Sequence, residues 1–285
     1  MPLGRVSRIN VTPVKSFRLH HPDAVWLDRQ GAVEDRRFLL VDDRGRLYNG
    51  ARDGVLVRAE ATWDASSRRL KVTVPGVGTL EENVVRGSST VVDVYGRKVR
   101  GHVADGPWAS GLSDLVGRSL TLVERDDRAW ATDVRPLTMV SKASLGLIDG
   151  DGRRFRMLFE VDGLEALEEE TWRSRRVRVG EATLLIGNPT PRCAFPSADP
   201  DTGIRDRNVL RELIDARGAL DGVACLGVYA EVLEPGLVCV GDTLEPGAAS
   251  RSTWYLVDRV RNKTRSLRSR PGWRSPPTPG EIRIH

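Results

Sequence analysis

Cysteine and histidine are scarce in this sequence, which narrows the kinds of site that it can build. Its 285 residues include three cysteines and four histidines. The cysteines are too few and too widely spaced for a disulfide framework, so free thiols in a reducing cytoplasm are expected. The histidines are too dispersed to predict a histidine-rich metal site.

Long apolar runs and common nucleotide or zinc motifs are also missing. No stretch approaches the roughly 20 apolar residues that span a bilayer, and residues 1–5 lead into a strand pattern without the features of a secretory signal. The sequence contains no GxGxxG, GxxxxGK[ST], HExxH or CxxC pattern. We therefore expect no membrane span, no Rossmann or P-loop nucleotide site and no zinc-protease site.

The net charge of +5 is unevenly distributed. Residues 249–285 carry nine Lys or Arg and two acids, a net charge of +7, whereas the first 248 residues carry 35 basic and 37 acidic groups. The body is near neutral, so nucleic acid is not an expected partner of it, and polyanion binding would be a property of the tail. Residues 253–267 have the pattern of a basic amphipathic helix, which either packs on the body or contacts a partner or membrane surface.

Short strand patterns dominate the body. Many strands of four to seven residues between turns favour a barrel or a sandwich over a doubly wound sheet. Strands are predicted over 6–11, 24–27, 38–41, 70–74, 120–124 and 182–186, with a hairpin turn at 42–46. Helices are predicted over 108–116, 208–217 and 142–148, the last with Ser141 as its N-cap. The predicted class is mainly β with a few helices (α+β).

Composition shifts divide the chain into three regions. The pattern changes from strand-rich to mixed strand and helix near residues 126–128, and a second boundary falls at Pro246-Gly247. We therefore predict one domain over 1–127, a second over 128–247, and a basic tail over 248–285 that is rich in Arg, Ser and Pro.

The segment 188–203 carries the clearest chemical signal. Two prolines, Pro189 and Pro191, predict a rigid loop after the strand over 182–186. Cys193 lies in this loop beside Arg192, whose charge favours the thiolate form. A thiolate on a rigid loop is well placed for chemistry.

The role of Cys193 stays open on this evidence: it can be a nucleophile, a metal ligand or a sulfur carrier. Cys225 and Cys239 lie in strand patterns where a free cysteine is usually a small core residue. The nearby carboxylates of Asp199 and Asp201 either cap a turn or serve the site.

Four motifs, in chain order, resemble those of the MOSC domain family, the molybdenum cofactor sulfurase C-terminal domain. This family includes the mitochondrial amidoxime-reducing component and its bacterial relatives. The resemblance covers about residues 6–246, and its motifs are 12–16 (TPVKS), 31–45 with its Asp-Arg pair, 192–203 (RC followed by DPDTG) and 227–242. It implies a MOSC-type β-barrel preceded by an N-terminal β-barrel-like domain, and a molybdenum–molybdopterin cofactor.

The resemblance also implies roles for particular residues. In the molybdoenzymes of the family the loop cysteine is a thiolate ligand of molybdenum, a role that carries over to Cys193, and a soft thiolate suits such a metal. The pterin phosphate needs cations and hydrogen-bond donors. The matching positions are Lys15, Ser16, Arg36, Ser141, Ser144 and Arg156, with Arg192 a further candidate. Asp199 is a candidate for orienting the site or handling a proton.

Each of these positions also has a plainer interpretation. Lys15 and Ser16 can be an ordinary strand end, Arg36 a surface ion-pair partner, and Ser141 and Ser144 a helix cap.

The sequence also departs from the family pattern at two places. Met157-Leu158 replaces a common Pro-Asn, and Pro191 replaces a common serine, which removes an amide and a hydroxyl from the cofactor's surroundings.

These observations predict a cytoplasmic molybdenum-cofactor oxidoreductase that reduces an N-oxygenated small molecule by oxygen-atom transfer to molybdenum held by Cys193. Because the chain has no cysteine cluster for an iron–sulfur centre, electrons are expected from a separate iron–sulfur or flavin protein. Two alternatives are a sulfur carrier with a Cys193 persulfide, and a non-enzymatic adaptor or polyanion-binding protein that acts through the tail. The substrate and the oligomeric state are not predicted.

Overall fold

Strands make up most of the regular structure in residues 4–249, the part of the chain described by the computed structural model. The strands are β1 (Arg5–Ile9), β2 (Ala24–Asp28), β3 (Gly31–Ala32), β4 (Phe38–Asp42), β5 (Leu47–Tyr48), β6 (Glu60–Asp64), β7 (Arg69–Val74), β8 (Gly78–Asn83), β9 (Val85–Val94), β10 (Arg97–Asp105), β11 (Leu120–Arg125), β12 (Leu137–Ser141), β13 (Phe159–Asp162), β14 (Arg175–Val179), β15 (Ala182–Pro191), β16 (Cys225–Glu234), β17 (Gly236–Cys239) and β18 (Leu244–Ala249). The α-helices are α1 (Trp108–Val116), α2 (Lys142–Gly146), α3 (Glu168–Thr171) and α4 (Val209–Arg217). The predicted class, mainly β with a few helices, is confirmed.

The first half of the chain builds a curled antiparallel sheet. Its strand order is β5-β4-β11-β10-β9, and a bridge between Arg46 and Asp93 brings the β5 and β9 edges together. A second sheet, β6-β7-β8, and helix α1 share its core, which includes Phe38, Leu70 and the fully buried Trp108. Burial of these apolar faces against one another stabilises this half.

The second half is organised by a seven-stranded mixed sheet with the order β1-β13-β12-β16-β15-β14-β18. Strands β12 and β13 run parallel, and the other neighbours are antiparallel. Its first edge strand, β1, comes from the start of the chain, and β2 pairs with β17 in a separate three-stranded sheet. The two halves of the sequence are therefore joined by strand pairing as well as by packing.

Several elements lie where turn, cap and apolar-spacing patterns in the sequence predict them. Strands β4 and β5 pair antiparallel around the turn at 42–46, where the Asp42 carboxylate accepts hydrogen bonds from the backbone N–H groups of Arg44 and Arg46. Helices α1 and α4 lie where the apolar spacing predicts them, and the Asn208 side chain caps α4. Helix α2 is shorter than predicted but has Ser141 as its N-cap.

Two elements differ from the predictions. Helix α3 has four residues, too few for an apolar stripe to reveal it. Strand β15 continues to Pro191 instead of ending at Ile186. Beyond Leu185 it no longer pairs with β14, and its register with β16 is irregular on both sides of Pro189, so the missing proline N–H groups break no regular ladder.

Residues 4–249 contain no helix that is both long and apolar enough to cross a membrane. The predicted helix at 253–267 and the rest of the basic tail from residue 250 onward lie outside the described residues.

Candidate functional site

One cleft collects six of the nine site residues predicted from the sequence. The cleft is open to solvent, and its cavity volume is about 130 Å³. The six residues come from four separate segments of the chain, and they are Lys15, Ser16, Arg36, Arg156, Arg192 and Cys193. Arg135 brings the cationic side chains to five, and Asp133 contributes a carboxylate to the same wall. The cleft therefore has an excess of positive charge.

Backbone contacts between two loops place the first of these cations. The Thr12 backbone N–H donates to the Asp35 carboxylate at 2.9 Å, and the Arg36 N–H donates to the Thr12 carbonyl at 2.6 Å. The Lys15 N–H donates to the Phe38 carbonyl at 2.9 Å. The loop after β1 and the turn before β4 are thus joined, which brings Lys15 and Arg36 to the same cleft.

Three of the six predicted residues in the cleft have a strained backbone. Ser16, Arg36 and Arg156 have φ values of +77°, +50° and +54°, a region that residues with a side chain rarely adopt. Each such conformation costs on the order of 1–2 kcal/mol. Strain of this kind concentrates at functional sites, where the surrounding structure over-determines it.

Lys15 is buried at the base of the cleft, with 6% of its surface exposed. Its ammonium group donates to the Ala131 carbonyl at 2.8 Å and to Asp133 Oδ1 at 2.6 Å. Burial lowers the pKa of Lys15, and the charge of Arg36 lowers it further, whereas Asp133 opposes the shift. The protonated ammonium is therefore held where an additional anion would be favourable.

The arginines are fixed by backbone carbonyls. Arg156 Nη2 donates to the Phe17 carbonyl at 2.6 Å, and Arg36 Nη2 donates to the Arg156 carbonyl at 3.2 Å. Burial lowers the pKa of Arg156 to about 9, with Arg36 contributing, so the guanidinium remains charged at neutral pH. Arg36 also pairs with the buried carboxylate of Asp35. These carbonyl contacts orient the guanidinium groups without neutralising them.

Some polar atoms in the same wall can still form hydrogen bonds to a ligand. Arg192 Nη2 donates to the Phe155 carbonyl at 2.6 Å, while its Nε is buried with no partner within residues 4–249. The same holds for Thr190 Oγ1 in the strand that leads to it. Ser16 Oγ accepts a hydrogen bond from the Gly50 N–H, which leaves its own O–H as a donor. Buried polar atoms without partners are expected where a polar ligand binds.

Cys193 follows the end of β15 and is exposed to the cleft. The Arg192 backbone N–H donates to the Ala224 carbonyl, and a 3₁₀ turn begins at Phe195, so the cysteine is held between two anchored points. Of the other cysteines, Cys225 is buried and Cys239 is half-buried, and neither lines the cleft. The loop thiol is thus the one that the structure presents to a ligand within residues 4–249.

Ser141 and Ser144, by contrast, are not in the cleft. They bond to each other, and Ser144 Oγ donates to the buried carboxylate of Glu169 at 3.1 Å. Burial raises the pKa of Glu169, with the serine hydrogen bonds opposing the shift. The helix-cap interpretation describes these serines, and their placement does not support a cofactor contact.

Asp199 also lies outside the cleft lining. Its Oδ1 accepts hydrogen bonds from the N–H and hydroxyl groups of Thr202 and from the Asp201 N–H, so it organises the turn 199–203. Asp201 pairs with Arg18 and Arg153. Asp199 therefore stabilises a turn, and Asp201 forms ion pairs. Asp199 does not line the cleft, and it stabilises the turn in the loop that follows Cys193.

Several cleft residues were missed by reasoning from sequence. Asn49, Tyr95, Asp133 and Tyr229 line the same space as Cys193. Tyr95 lies in a hairpin turn and Asp133 in an irregular segment, and neither has a motif around it. The two-residue Tyr-Gly turn was the one available signal, because a bulky residue is unusual at such a position.

Comparisons with known proteins agree with this architecture. The family model described as "MOSC N-terminal beta barrel domain" matches residues 3–119, and that described as "MOSC domain" matches residues 126–245. The mitochondrial amidoxime reducing component 2 of Bos taurus is 25% identical over 289 residues, covering 84% of this chain and 82% of the relative. The mitochondrial amidoxime-reducing component 1 of Danio rerio is 24% identical over 276 residues, covering 84% of each chain.

A solved structure of low similarity also aligns with the chain. The YUAD protein of Bacillus subtilis aligns with a TM-score of 0.41 and 14% identity, covering 85% of this chain and 93% of its own. The two family models lie in tandem and leave few residues of the body unmatched. The chain therefore belongs to the MOSC family, with a MOSC N-terminal β-barrel domain followed by a MOSC domain.

Proposed function

We propose that this protein is a molybdenum-cofactor oxidoreductase that reduces N-oxygenated small molecules, such as amidoximes. The observation that carries the proposal is the meeting of an exposed thiol with buried cations in one cleft. The names of the relatives, which describe them as amidoxime-reducing, support the choice of substrate class.

The residues present fit a molybdenum–pterin cofactor. A pterin phosphate is an anion that needs cations and N–H or O–H donors, and Lys15, Ser16 and Arg36 supply them. The unpartnered Nε of Arg192 adds a buried donor in the same wall. Cys193 supplies the soft thiolate that a molybdenum centre with sulfur ligands would take. Where the family commonly has Pro-Asn, Met157 lines the cleft with an apolar side chain and Leu158 is buried in the core.

The protein's own contribution is to bind and orient the cofactor. Its strained, carbonyl-anchored cations are held in place before the ligand arrives, so little reorganisation is needed on binding. When bound, the cofactor supplies the two-electron chemistry that removes an oxygen atom from the substrate. Reduction of an N–OH group to N–H with release of water also consumes two protons.

Tyr229 lies where it can donate a hydrogen bond to the substrate. Its side chain lines the cleft, and burial raises the pKa of its hydroxyl, with Arg192 opposing the shift. The phenol therefore keeps its proton at neutral pH and can donate a hydrogen bond to a substrate oxygen. The electrons would come from a separate protein that carries an iron–sulfur or flavin group.

The proposal is tested by a dye-linked assay on protein purified from a host that makes the cofactor. Reduced benzyl viologen supplies the electrons, and conversion of benzamidoxime to benzamidine is measured. We expect turnover by the wild type, a loss of at least 100-fold in Cys193→Ser, and activity within about twofold of wild type in Cys239→Ser, since Cys239 lies outside the cleft. Equal activity in the two variants would contradict the proposed role of Cys193.

A further inference from the structure

Tyr95 is an exposed aromatic residue at the mouth of the cleft. Most lining residues are buried or half-buried, and the exposed ones are Tyr95, Asp133, Pro191 and Cys193. Tyr95 has 53% of its surface exposed. A molecule that approaches the thiol from solvent therefore meets these side chains, and Tyr95 is the one among them with an aromatic face.

The backbone of Tyr95 is strained. It is the first residue of the two-residue turn between β9 and β10, where Arg97 pairs with Val94. Its φ is +53°, and that of the following Gly96 is +88°. Turns of this shape strongly favour Asn, Asp or Gly at both positions. A tyrosine is thus kept where local preference disfavours it, which is a reason to seek a function for the ring.

Hydrogen bonds hold the ring in a fixed direction. Asn49 Nδ2 donates to the Tyr95 hydroxyl at 2.8 Å, and Asn49 is itself buried with its Oδ1 accepting from the Ala51 N–H. The tip of the hairpin is fastened by Arg97, which donates to two backbone carbonyls of the segment 130–132 at 2.7 Å each. The phenol is therefore a rigid wall of the cleft.

We propose that Tyr95 selects substrates by their shape. Its ring contacts the substrate and favours flat N-oxygenated groups over saturated ones. A flat conjugated group can lie against an aromatic face, while a saturated carbon skeleton makes a smaller and less favourable contact. This inference rests on the proposed function for its substrate class. It adds the residue that chooses among such substrates.

Three variants distinguish the effect of the aromatic ring from the effects of the hydroxyl group and of the strained backbone. Tyr95→Phe keeps the ring, Tyr95→Leu keeps apolar bulk without a ring, and Tyr95→Asn removes the ring while placing a residue that tolerates positive φ. The ratio of kcat/KM for benzamidoxime to that for cyclohexylhydroxylamine is measured for each. We expect the ratio to fall about tenfold in the Leu and Asn variants and less than threefold in the Phe variant, as loss of one stacking contact predicts.

Thermal unfolding checks that the loss is not caused by a damaged fold. Because asparagine suits the turn, we expect the Tm of Tyr95→Asn to be no lower than that of the wild type. A fall in selectivity together with an unchanged or higher Tm would support a functional role for the ring. An equal loss of activity toward both substrates would overturn it.

A binding measurement keeps this inference distinct from the proposed function. The affinities of the oxidised holoprotein for benzamidoxime and cyclohexylhydroxylamine, which are not turned over without an electron donor, are measured by calorimetry for the same variants. If the wild type reduces neither substrate, the proposed function fails, yet the affinity ratio still tests Tyr95. An affinity ratio that stays within twofold of the wild-type value in Tyr95→Leu, or a wild type that binds neither compound, would overturn the inference.

Discussion

At the scale of single residues, the site combines buried positive charge with strained backbone. Lys15 and Arg156 are held in desolvated positions that lower their pKa values. The charge of Arg36 contributes to both shifts, and Arg36 has a left-handed backbone. Both features cost folding free energy, so they are explained best by a ligand that offsets the cost. An anion bound among these cations would do so.

Lys15→Met is the residue-scale test of this explanation. The methionine retains the length of the side chain but removes the charge, so we expect cofactor affinity to fall by about 30-fold or more, since losing one partner of a buried charged contact costs about 2–5 kcal/mol. The fluorescence of the oxidised pterin released from purified protein measures the bound cofactor.

Lys142→Met is the matched control, because Lys142 is exposed and pairs with Asp162 at the surface. It should retain the cofactor at the wild-type level. If the two variants retain equal amounts, Lys15 does not hold the phosphate.

At the scale of elements, the loop 194–205 joins the two halves of the molecule around the cleft. The Phe195 ring lies against Gly50, and the Arg205 guanidinium donates to the Ala51 carbonyl at 3.1 Å. At its far end Gly203 touches Gly54 so closely that a Cβ on Gly203 would lie 2.2 Å from the Gly54 carbonyl oxygen. This contact fixes the position of the loop that carries Cys193 at its start.

Gly203→Ala tests that contact against a control with the same backbone constraint. Gly203 and Gly117 have φ values of +74° and +64°, but nothing lies within 4 Å of a Cβ built on Gly117. We expect Gly117→Ala to lower the free energy of unfolding by about 1 kcal/mol, from backbone strain alone. Gly203→Ala should cost about 2 kcal/mol more, because the backbones must separate.

Urea unfolding measures both variants. A similar cost in the two would show that the close contact between Gly203 and Gly54 does not contribute to stability, and that the loop is held by its ion pairs instead.

At the scale of the whole molecule, the chain shows which features can be predicted from sequence. Local apolar patterns predicted strands β1, β2, β4, β7, β11 and the first part of β15, together with helices α1 and α4. Ser141 was predicted as the cap of α2, which is also a local signal. The continuation of β15 to Pro191 was not predictable from local sequence. After its pairing with β14 ends at Leu185, the strand continues only by pairing with β16, which is distant in the sequence. Long-range pairing overrides local proline chemistry here.

The cleft likewise contains residues that sequence motifs predicted and residues that they did not. The resemblance of motifs to the MOSC family identified Lys15, Arg36 and Cys193, which the fold then brings together. It also suggested Ser141 and Ser144, which instead bond to Glu169 outside the cleft, through the Ser141 backbone N–H and the Ser144 hydroxyl. Tyr95 and Asp133 come from a hairpin tip and an irregular segment, so their place in the cleft depends on tertiary contacts that no sequence pattern encodes.

The measurement that tests the account most directly is the molybdenum content of the purified protein. If Cys193 and the cationic cleft hold the cofactor, the wild type and Cys239→Ser should each contain about one molybdenum per chain, and Cys193→Ser should contain less than about a tenth as much. Sulfane sulfur on Cys193 without metal would instead support a sulfur carrier. That result, or full molybdenum occupancy in Cys193→Ser, would contradict the account.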